Sequence, residues 1–179
     1  MDKNKLVQQA YEVFKILTDD GTFPNNAKLP LVVYKGAFLL RPDENEAIIE
    51  KHFADNNWTN SWTGGVYDYH HYHSLTHEVM GVYCGTADLQ LGGPEGVCVE
   101  LTRGDVIIIP AGVAHKKLQC SHDFSVVGAY PDGREYDMNL GKDGERPKAD
   151  ENIAEVPLPS TDPVYGTEGP VAKNWSILK

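Results

Sequence analysis

The sequence predicts an all-β domain of barrel or sandwich type, with two helices before the main strands and an extended arm after them. Between about residues 62 and 130, short runs of apolar, β-branched and aromatic residues alternate with turn clusters such as GGPEG at 92–96. Many short strands at such close spacing are typical of an all-β sandwich or barrel. Long helical patterns are missing between these runs, which argues against a parallel α/β sheet.

The composition is that of one ordinary globular domain. The chain has 179 residues, of which 41% are hydrophobic and 23% charged, which suits one domain with its own core. The formal net charge of −10 argues against nucleic-acid partners and membrane partners, because both attract basic patches. No apolar run reaches the length of a membrane span. The N-terminus also lacks the apolar stretch of a signal peptide, so we expect a cytoplasmic protein.

We predict a single domain over residues 1–179, in three parts. The first part, 1–60, holds a strand and two helices: 3–18, with apolar residues at helical spacing, and 43–54, with Asp43 as N-cap. The second part, 61–140, is the β-barrel core with the metal site. The third part, 141–179, is rich in Pro, Gly and charge, and we expect an extended C-terminal arm because prolines prevent a regular helix in its middle. The arm packs on its own barrel or on a partner subunit.

Three histidines and one glutamate are spaced as a metal site requires. His71 and His73 are two residues apart, so on a strand they point to the same face. Glu78 follows a predicted tight turn, so the returning strand can bring its carboxylate to the same interior. His115 follows a second turn and opens another strand. Three imidazoles and one carboxylate are ligands that a divalent first-row transition metal prefers, and a site with open positions is the catalytic type.

The joint spacing of these residues carries more weight than any one of them. An H-x-H pair alone often arises by chance, and a lone histidine on a strand is usually an ordinary core or surface residue. Nine positions of this chain fit one pattern together, which average residue usage makes very rare by chance. These positions are Gly65, His71, His73, Glu78, Gly85, Gly104, Pro110, Gly112 and His115.

The two segments that contain these positions resemble the two motifs of the cupin superfamily. Residues 65–85 match G-x5-H-x-H-x4-E-x6-G throughout, and residues 104–119 match G-x5-P-x-G-x2-H-x3-N except at the last position, where Gln119 stands in place of Asn. The wider chain is similar to the YjlB-like single-domain bacterial cupins over nearly its whole length. That similarity indicates the family and leaves the reaction open.

The resemblance implies a β-barrel of jelly-roll type that holds one divalent transition metal ion. The ligands it implies are His71, His73, Glu78 and His115, whereas the motif's final Asn is not a ligand, so Gln119 affects only the surroundings of the site. The same donor set suits Fe, Mn, Ni, Zn and Cu, and the sequence does not choose among them.

Side chains that share a face with these ligands are candidates for a substrate pocket. Strand alternation gives the candidates, which are Tyr67, Tyr69, Met80, Lys117 and Gln119. They would make a mostly apolar site with a few polar groups, the usual composition of a small-molecule site. For the two tyrosines and the methionine, plain barrel core is an equal alternative. Lys117 could bind an anionic substrate group or stay solvated, as most lysines do.

The remaining histidines and the cysteines have weaker claims to function. His70 and His77 alternate away from the predicted ligands, so we expect them to face outward or to support the site from behind. His52 and His122 are expected at the surface. The three cysteines of the chain fit neither a disulfide framework nor a CxxC zinc site, and we expect them in the core.

These observations favour a metal-dependent enzyme that acts on a small organic substrate, of dioxygenase, isomerase or decarboxylase type. A divalent ion with open positions can bind dioxygen or act as a Lewis acid, and Glu78 is the candidate catalytic residue, because it could also shuttle protons. Two alternatives stay open: a non-catalytic module that binds a small molecule through the metal, and a structural barrel with a relic site. The cupin resemblance and the C-terminal arm favour a homodimer.

Overall fold

The computed structural model of the protein describes residues 5–177, and in that range it contains nine strands and three helices. The strands are β1 (Tyr11–Leu17), β2 (Asn26–Lys35), β3 (Trp58–Gly64), β4 (Glu78–Cys84), β5 (Thr86–Leu91), β6 (Val97–Thr102), β7 (Val106–Ile109), β8 (His115–Cys120) and β9 (Ser125–Pro131). The helices are α1 (Glu46–Asp55), α2 (Lys148–Glu155) and α3 (Pro170–Ile177). None of the helices within residues 5–177 has the length and apolar character needed to cross a membrane.

The strands form two sheets. The larger sheet has six strands in the order β1-β2-β7-β4-β9-β3, and the smaller has three in the order β6-β5-β8. All the strand pairs are antiparallel. The mainly β architecture predicted from the sequence is therefore confirmed. The closed barrel is not found: the described strands make a two-sheet β-sandwich, because β1, β3, β6 and β8 each end a sheet.

The core consists of two apolar layers, one on each face of the larger sheet. In strand β2, successive side chains point to opposite faces of the sheet, so the strand contributes to both layers. Leu31 and Val33 point between the two sheets, where they meet residues of β4, β5 and β7. Val32 and Tyr34 point to the other face, which α1 and α3 cover. Because both faces of the sheet are covered, β7 reads as a continuous apolar run, and its four residues are all buried.

The predicted helix over residues 3–18 is not found among the described residues, and residues 3 and 4 lie outside that range: residues 5–10 are not helical, and Val7 forms an isolated antiparallel bridge with Phe38. Residues 11–17 form β1, which pairs with β2 from Tyr11 opposite Lys35 to Lys15 opposite Leu31. The segment is rich in aromatic and β-branched residues, which fit a pleated surface. Pairing with a neighbouring strand outweighs the helical spacing of its apolar residues, since local propensity is only a weak prior.

Helix α1 lies in the region of the second predicted helix, with a different cap. It begins at Glu46, and the side chain of Asn45, rather than that of Asp43, accepts a hydrogen bond of 3.1 Å from the backbone N–H of Ala47. Asn45 is a strong N-cap residue for the same reason as Asp, because its side-chain oxygen satisfies a free N–H of the first turn. The helix buries Ile49 and Phe53 against the larger sheet.

The C-terminal region is not the extended arm predicted for residues 141–179, because α2 and α3 both lie in it. The proline-rich middle, 156–166, is free of helix as expected. Buried Asp162 anchors this region by accepting hydrogen bonds from the Tyr34 hydroxyl and from three backbone N–H groups. Trp175 of α3 is buried, and its indole N–H donates to the Pro30 carbonyl at 3.2 Å. Asp162 and α3 therefore pack on strand β2 of the larger sheet of their own chain, whereas Ala149 of α2 packs with Phe23, Tyr72 and Ala114.

Candidate metal centre

Three histidines from two separate parts of the chain meet at one point. One ring nitrogen of each of His71, His73 and His115 lies within 4.8 Å of the others, and all three side chains are buried. Residues 66–73 form no continuous strand, contrary to expectation. His71 and His115 instead form an isolated antiparallel bridge, with N–H to carbonyl distances of 3.2 and 2.9 Å. The triad could bind a metal ion.

Backbone carbonyls hold the three imidazole rings in one tautomer. Because a carbonyl only accepts hydrogen bonds, each Nδ1 carries the proton, and each Nε2 keeps its lone pair free. Metal-binding histidines almost always have such a partner for the second ring nitrogen. The bonds run from Nδ1 of His71 to the Tyr69 carbonyl (3.0 Å), from Nδ1 of His73 to the Asp137 carbonyl (2.5 Å) and from Nδ1 of His115 to the Val113 carbonyl (3.1 Å).

Glu78 brings a buried carboxylate to the same point. It is the first residue of β4, and its Oε1 lies 3.4 Å from Nε2 of His115 and 3.7 Å from Nε2 of His73. Burial alone would raise the pKa of Glu78. When a proton rather than a metal ion occupies Nε2 of the neighbouring rings, the charge of His73 and hydrogen bonds from His115 and His73 outweigh burial and hold the pKa of Glu78 below its ordinary value. A buried carboxylate of this kind requires a cation beside it, either a protonated imidazole or a metal ion.

The imidazoles differ in how readily they take up a proton. Burial, together with the charges of His115 and His73, lowers the pKa of His71 to about 3. His71 is therefore neutral at physiological pH, which is the form that binds a metal. Burial also acts to lower the pKa of His73, but the charge and hydrogen bond of Glu78 outweigh it, so that this pKa is raised. His73 is thus the ring whose proton competes most directly with a cation.

A cavity of about 350 Å³ opens beside these residues. Its volume lies within the range of small-molecule sites. All four predicted ligands line it, so a molecule in the cavity would contact them directly. The other lining residues are Trp62, Thr63, Gly64, Gly65, Val66, Tyr67, Met80, Tyr130, Tyr136 and Met138.

Of the five predicted pocket residues, Met80 and Tyr67 line the cavity, and the other three lie outside its lining. The ring of Tyr69 stacks on that of Tyr67 at 5.0 Å and meets the His71 ring at 5.7 Å, but it does not itself line the cavity. Lys117 shares the face of His115 but lies farther along β8, and its backbone N–H donates to the Tyr67 carbonyl at 2.9 Å. Gln119 lies beyond a register shift in β8, and its side chain binds Asp88 at the surface.

Sequence reasoning missed an aromatic wall of the cavity, formed by Trp62, Tyr130 and Tyr136. The rings of Tyr130 and Tyr136 stack at 5.2 Å, and the Trp62 indole N–H donates to the Tyr130 hydroxyl at 2.9 Å. Burial raises the pKa of Tyr130, and the charge and hydrogen bond of Glu78 raise it further. Tyr130 reaches Glu78 because β9 lies beside β4 with Gly128 opposite Met80. No local signal reveals this pairing, because the two strands are far apart in sequence.

The other histidines lie away from the centre. His77 is buried, accepts the Ala111 N–H at 2.9 Å through Nδ1, and packs against the Trp175 ring at 4.8 Å. His70 is half-buried beside Phe23. His122 is exposed as expected.

Two expectations about the smaller candidates are wrong. His52 is half-buried, with its Nε2 at 2.7 Å from the Val164 carbonyl, rather than at the surface. The cysteines do not fill the core: Cys98 and Cys120 are exposed, and Cys84 is half-buried. Both exposed cysteines lie on β6 or β8, the end strands of the smaller sheet, where covering elements are fewer.

Comparison with known proteins identifies one relative along most of the chain. The chain is 44% identical over 157 residues to the uncharacterized protein YjlB of Bacillus subtilis (strain 168), which covers 88% of this chain and 92% of that protein. No family model matches the chain.

Solved structures show partial likeness. Acireductone dioxygenase from Bacillus anthracis with a cadmium ion in its active centre is 22% identical, with a TM-score of 0.38, over 54% of this chain and 68% of that one. Bacillus subtilis oxalate decarboxylase, studied for its Mn(II) centres, is 15% identical, with a TM-score of 0.37, over 62% of this chain and 27% of that one. Pumpkin seed globulin is 26% identical, with a TM-score of 0.36, over 45% of this chain, which spans 22% of that protein.

The structural likenesses are too partial to support an argument about function, whereas the sequence relationship extends over nearly all of both proteins. At 44% identity over 88% of its length, this chain belongs to the same family as YjlB.

Proposed function

We propose that this protein is a metal-binding cupin that holds one divalent transition metal ion through His71, His73, Glu78 and His115. The observation that carries the proposal is the set of three buried imidazoles whose Nδ1 atoms are each occupied by a backbone carbonyl, beside a buried carboxylate. All three rings thus offer Nε2 to one point. The two sequence segments that resemble the cupin motifs both contribute to this point.

The donor set fits a divalent transition metal and does not choose among Fe, Mn, Ni, Zn and Cu. Three neutral imidazoles and one carboxylate are borderline donors that all these ions accept. A divalent ion would also supply the cation that the buried negative charge of Glu78 requires beside it. When bound, the ion supplies Lewis acidity and, where the metal is redox-active, electron transfer.

The protein's own residues provide the rest of an enzyme site for a small organic substrate, of dioxygenase, isomerase or decarboxylase type. The cavity beside the metal-binding residues has room for a small molecule, and a ligand that fills it would displace water, which strengthens electrostatic interactions inside it. The Tyr130 hydroxyl hydrogen-bonds the Glu78 carboxylate, and Nε2 of His115 lies 3.4 Å from the same group. Glu78 is the residue we assign to proton transfer, as the cavity's carboxylate.

A non-catalytic small-molecule binding protein is the second candidate. Among the described residues that line the cavity, Glu78 is the one carboxylate, and it is held between two imidazoles. A site whose acidic group is so engaged can bind a ligand without transforming it. The two candidates differ in turnover: an enzyme yields product from the ligand, whereas a binding protein is only stabilised by it.

We also propose a homodimer of single-domain subunits in the cytoplasm. Strand β1 stands at one end of the larger sheet, and it exposes apolar side chains, among them Tyr11 and Phe14. A long apolar edge strand is prone to pair with another chain. Sedimentation of the parent and of a variant with Val13→Lys on this strand tests the dimer: the parent should sediment as a dimer, and the variant as a monomer.

Metal content tests the main proposal. Untagged protein, purified without added metal, is compared by elemental analysis with the double variant His71→Ala/His73→Ala and with His122→Ala, which removes an exposed histidine. We expect about one equivalent of transition metal in the parent and in the control, and none in the double variant, as for a single site. Failure of the parent to bind any of the five metals, even after reloading, would refute the metal site.

A further inference from the structure

The mouth of the cavity is surrounded by exposed apolar side chains. Tyr67, Tyr136 and Met138 expose 53%, 49% and 40% of their surface, and all three line this cavity. Single exposed apolar residues are ordinary, but several that converge on one concave site indicate a surface that a ligand covers. The ligand therefore has an apolar body that reaches the mouth.

One wall of the cavity, which runs from the mouth inward, is built to receive a flat ring. Tyr130 and Tyr136 stack with an interplanar angle of 22°, and the rings of Tyr136 and His73 meet in an edge-to-face contact at 5.1 Å. Trp62 is held in place by its hydrogen bond to Tyr130 and by close contact with Gly128. Aromatic rings gain from offset-stacked or edge-to-face contact with another ring beyond the burial of area. A wall of fixed aromatic rings therefore favours an aromatic ligand over an aliphatic one.

The charges around the cavity limit the charge of the ligand. None of the described residues that line the cavity is Lys or Arg. A divalent ion together with ionised Glu78 leaves one net positive charge, which one negative charge on the ligand would balance. A second negative charge would lie among apolar walls with no cation to pair with, and such a charge is costly to desolvate.

The volume of the cavity limits the size of the ligand. At about 350 Å³, it is roughly twice the size of an engineered apolar cavity of about 150 Å³ that binds benzene. One substituted aromatic ring or two fused rings would fill it.

We propose that the cavity selects an uncharged or singly ionised aromatic compound that presents one or two adjacent oxygen atoms to the metal, and that it discriminates against small dicarboxylates. This inference rests on the proposed metal site and deepens it by naming the class of substrate or ligand. The tyrosines that line the cavity contact the ring of the compound. The metal-binding residues lie on one part of the same lining, and their position determines which end of the compound carries the oxygen atoms.

Calorimetric titration of the manganese-loaded protein tests the charge and ring preference. The probes are maltol, an uncharged ring with adjacent hydroxyl and carbonyl oxygens, and the aliphatic dianions oxalate and malonate. We expect maltol to bind at least about tenfold more tightly than either dianion, the discrimination typical of a site whose walls match one ligand and leave a charge of the other unpaired. Equal or tighter binding of oxalate or malonate would overturn the proposal.

Variants of Tyr136 show whether the wall causes the preference. Tyr136→Ala should weaken maltol binding about fivefold or more, as loss of an aromatic contact predicts, and leave oxalate binding unchanged. Tyr136→Arg adds a cation at the mouth and should shift the ratio of the two affinities toward oxalate. Leu39→Ala, which removes an exposed apolar side chain that lies outside both the cavity lining and β1, is the control and should alter neither. An unchanged ratio in Tyr136→Arg would contradict the proposed role of charge.

Elemental analysis of every sample separates this inference from the proposed function. Protein that retains manganese but prefers dianions would refute the ligand class and leave the metal site intact. Protein that cannot be loaded would refute the metal site, and the ligand class would fall with it.

Discussion

The contact between Trp62 and Gly128 can be tested by adding one methyl group to it. A Cβ atom built on Gly128 would lie 2.2 Å from both Cε2 and Nε1 of the Trp62 indole, far inside van der Waals contact. Gly128 lies in the interior of β9, so its backbone cannot easily withdraw. In Gly128→Ala the indole must move, and its hydrogen bond to the Tyr130 hydroxyl is lost or lengthened.

The expected cost follows from three contributions. Overpacking of a well-packed site costs about 1–3 kcal/mol, and loss of one hydrogen bond about 0.5–1.5 kcal/mol. Ala is more favourable than Gly in a strand interior by about 0.5–1 kcal/mol, which offsets part of this. We therefore expect Gly128→Ala to lower the free energy of unfolding by about 2 kcal/mol, within a range of about 0.5–4 kcal/mol.

Urea unfolding of two glycine variants measures the effect. Gly65 also lines the cavity, but a Cβ there meets nothing within 4 Å, so Gly65→Ala should change the free energy of unfolding by less than about 0.5 kcal/mol. In a Trp62→Ala background the clash is absent, and Gly128→Ala should become nearly neutral in a double-mutant cycle. A loss in Gly128→Ala that matches the Gly65→Ala control, or one that persists without Trp62, would refute the reasoning.

Three further predictions concern the centre and its support. Tyr130→Phe removes the hydroxyl beside Glu78 and should weaken metal binding about 10–100-fold in a chelator competition, as is typical for groups that orient a metal ligand; unchanged affinity would contradict it. Metal affinity should fall as pH falls, by up to about tenfold per unit below the raised pKa of His73, because that imidazole must lose its proton to bind; potentiometric titration should detect proton release on metal addition, and an affinity independent of pH would contradict it. Asp162→Ala leaves the Tyr34 hydroxyl and three backbone N–H groups without their acceptor and should cost about 3 kcal/mol or more in urea unfolding while metal content stays the same; a loss under about 1 kcal/mol would contradict it.

Local patterns determined the parts of this protein that depend on neighbours in sequence. The short apolar runs and glycine-rich turns from residue 62 to 130 indicated a mainly β fold, because strand alternation and turn chemistry are properties of a few consecutive residues. The orientation of His71 and His73 toward the same face is also local, because it requires only two residues of extended backbone. The motif pattern predicted that His115 and Glu78 would be metal ligands, but only the tertiary structure brings their side chains next to those of the other two histidines.

Pairing between strands that are distant in sequence decided the features that local patterns did not predict. Residues 11–17 carry both a helical spacing and strand-forming residues, and only the presence of β2 alongside makes them a strand. The choice between barrel and sandwich depends on which strands end each sheet, which no local pattern contains. Gln119 likewise lies outside the cavity because of a register shift between β5 and β8, which alternation counted along one strand cannot reveal.

The sequence by itself therefore determined the chemistry available to this protein: a mainly β chain of net charge −10, with three imidazoles and a carboxylate at spacings that suit a metal. Only the tertiary structure decided the surroundings of those groups. Tyr130 faces Glu78 because β9 lies next to β4, and Tyr136 reaches the cavity from a loop beyond β9. The physical reason is that side-chain identity and alternation are local, whereas the walls of a cavity come from segments that meet only when the sheets have formed.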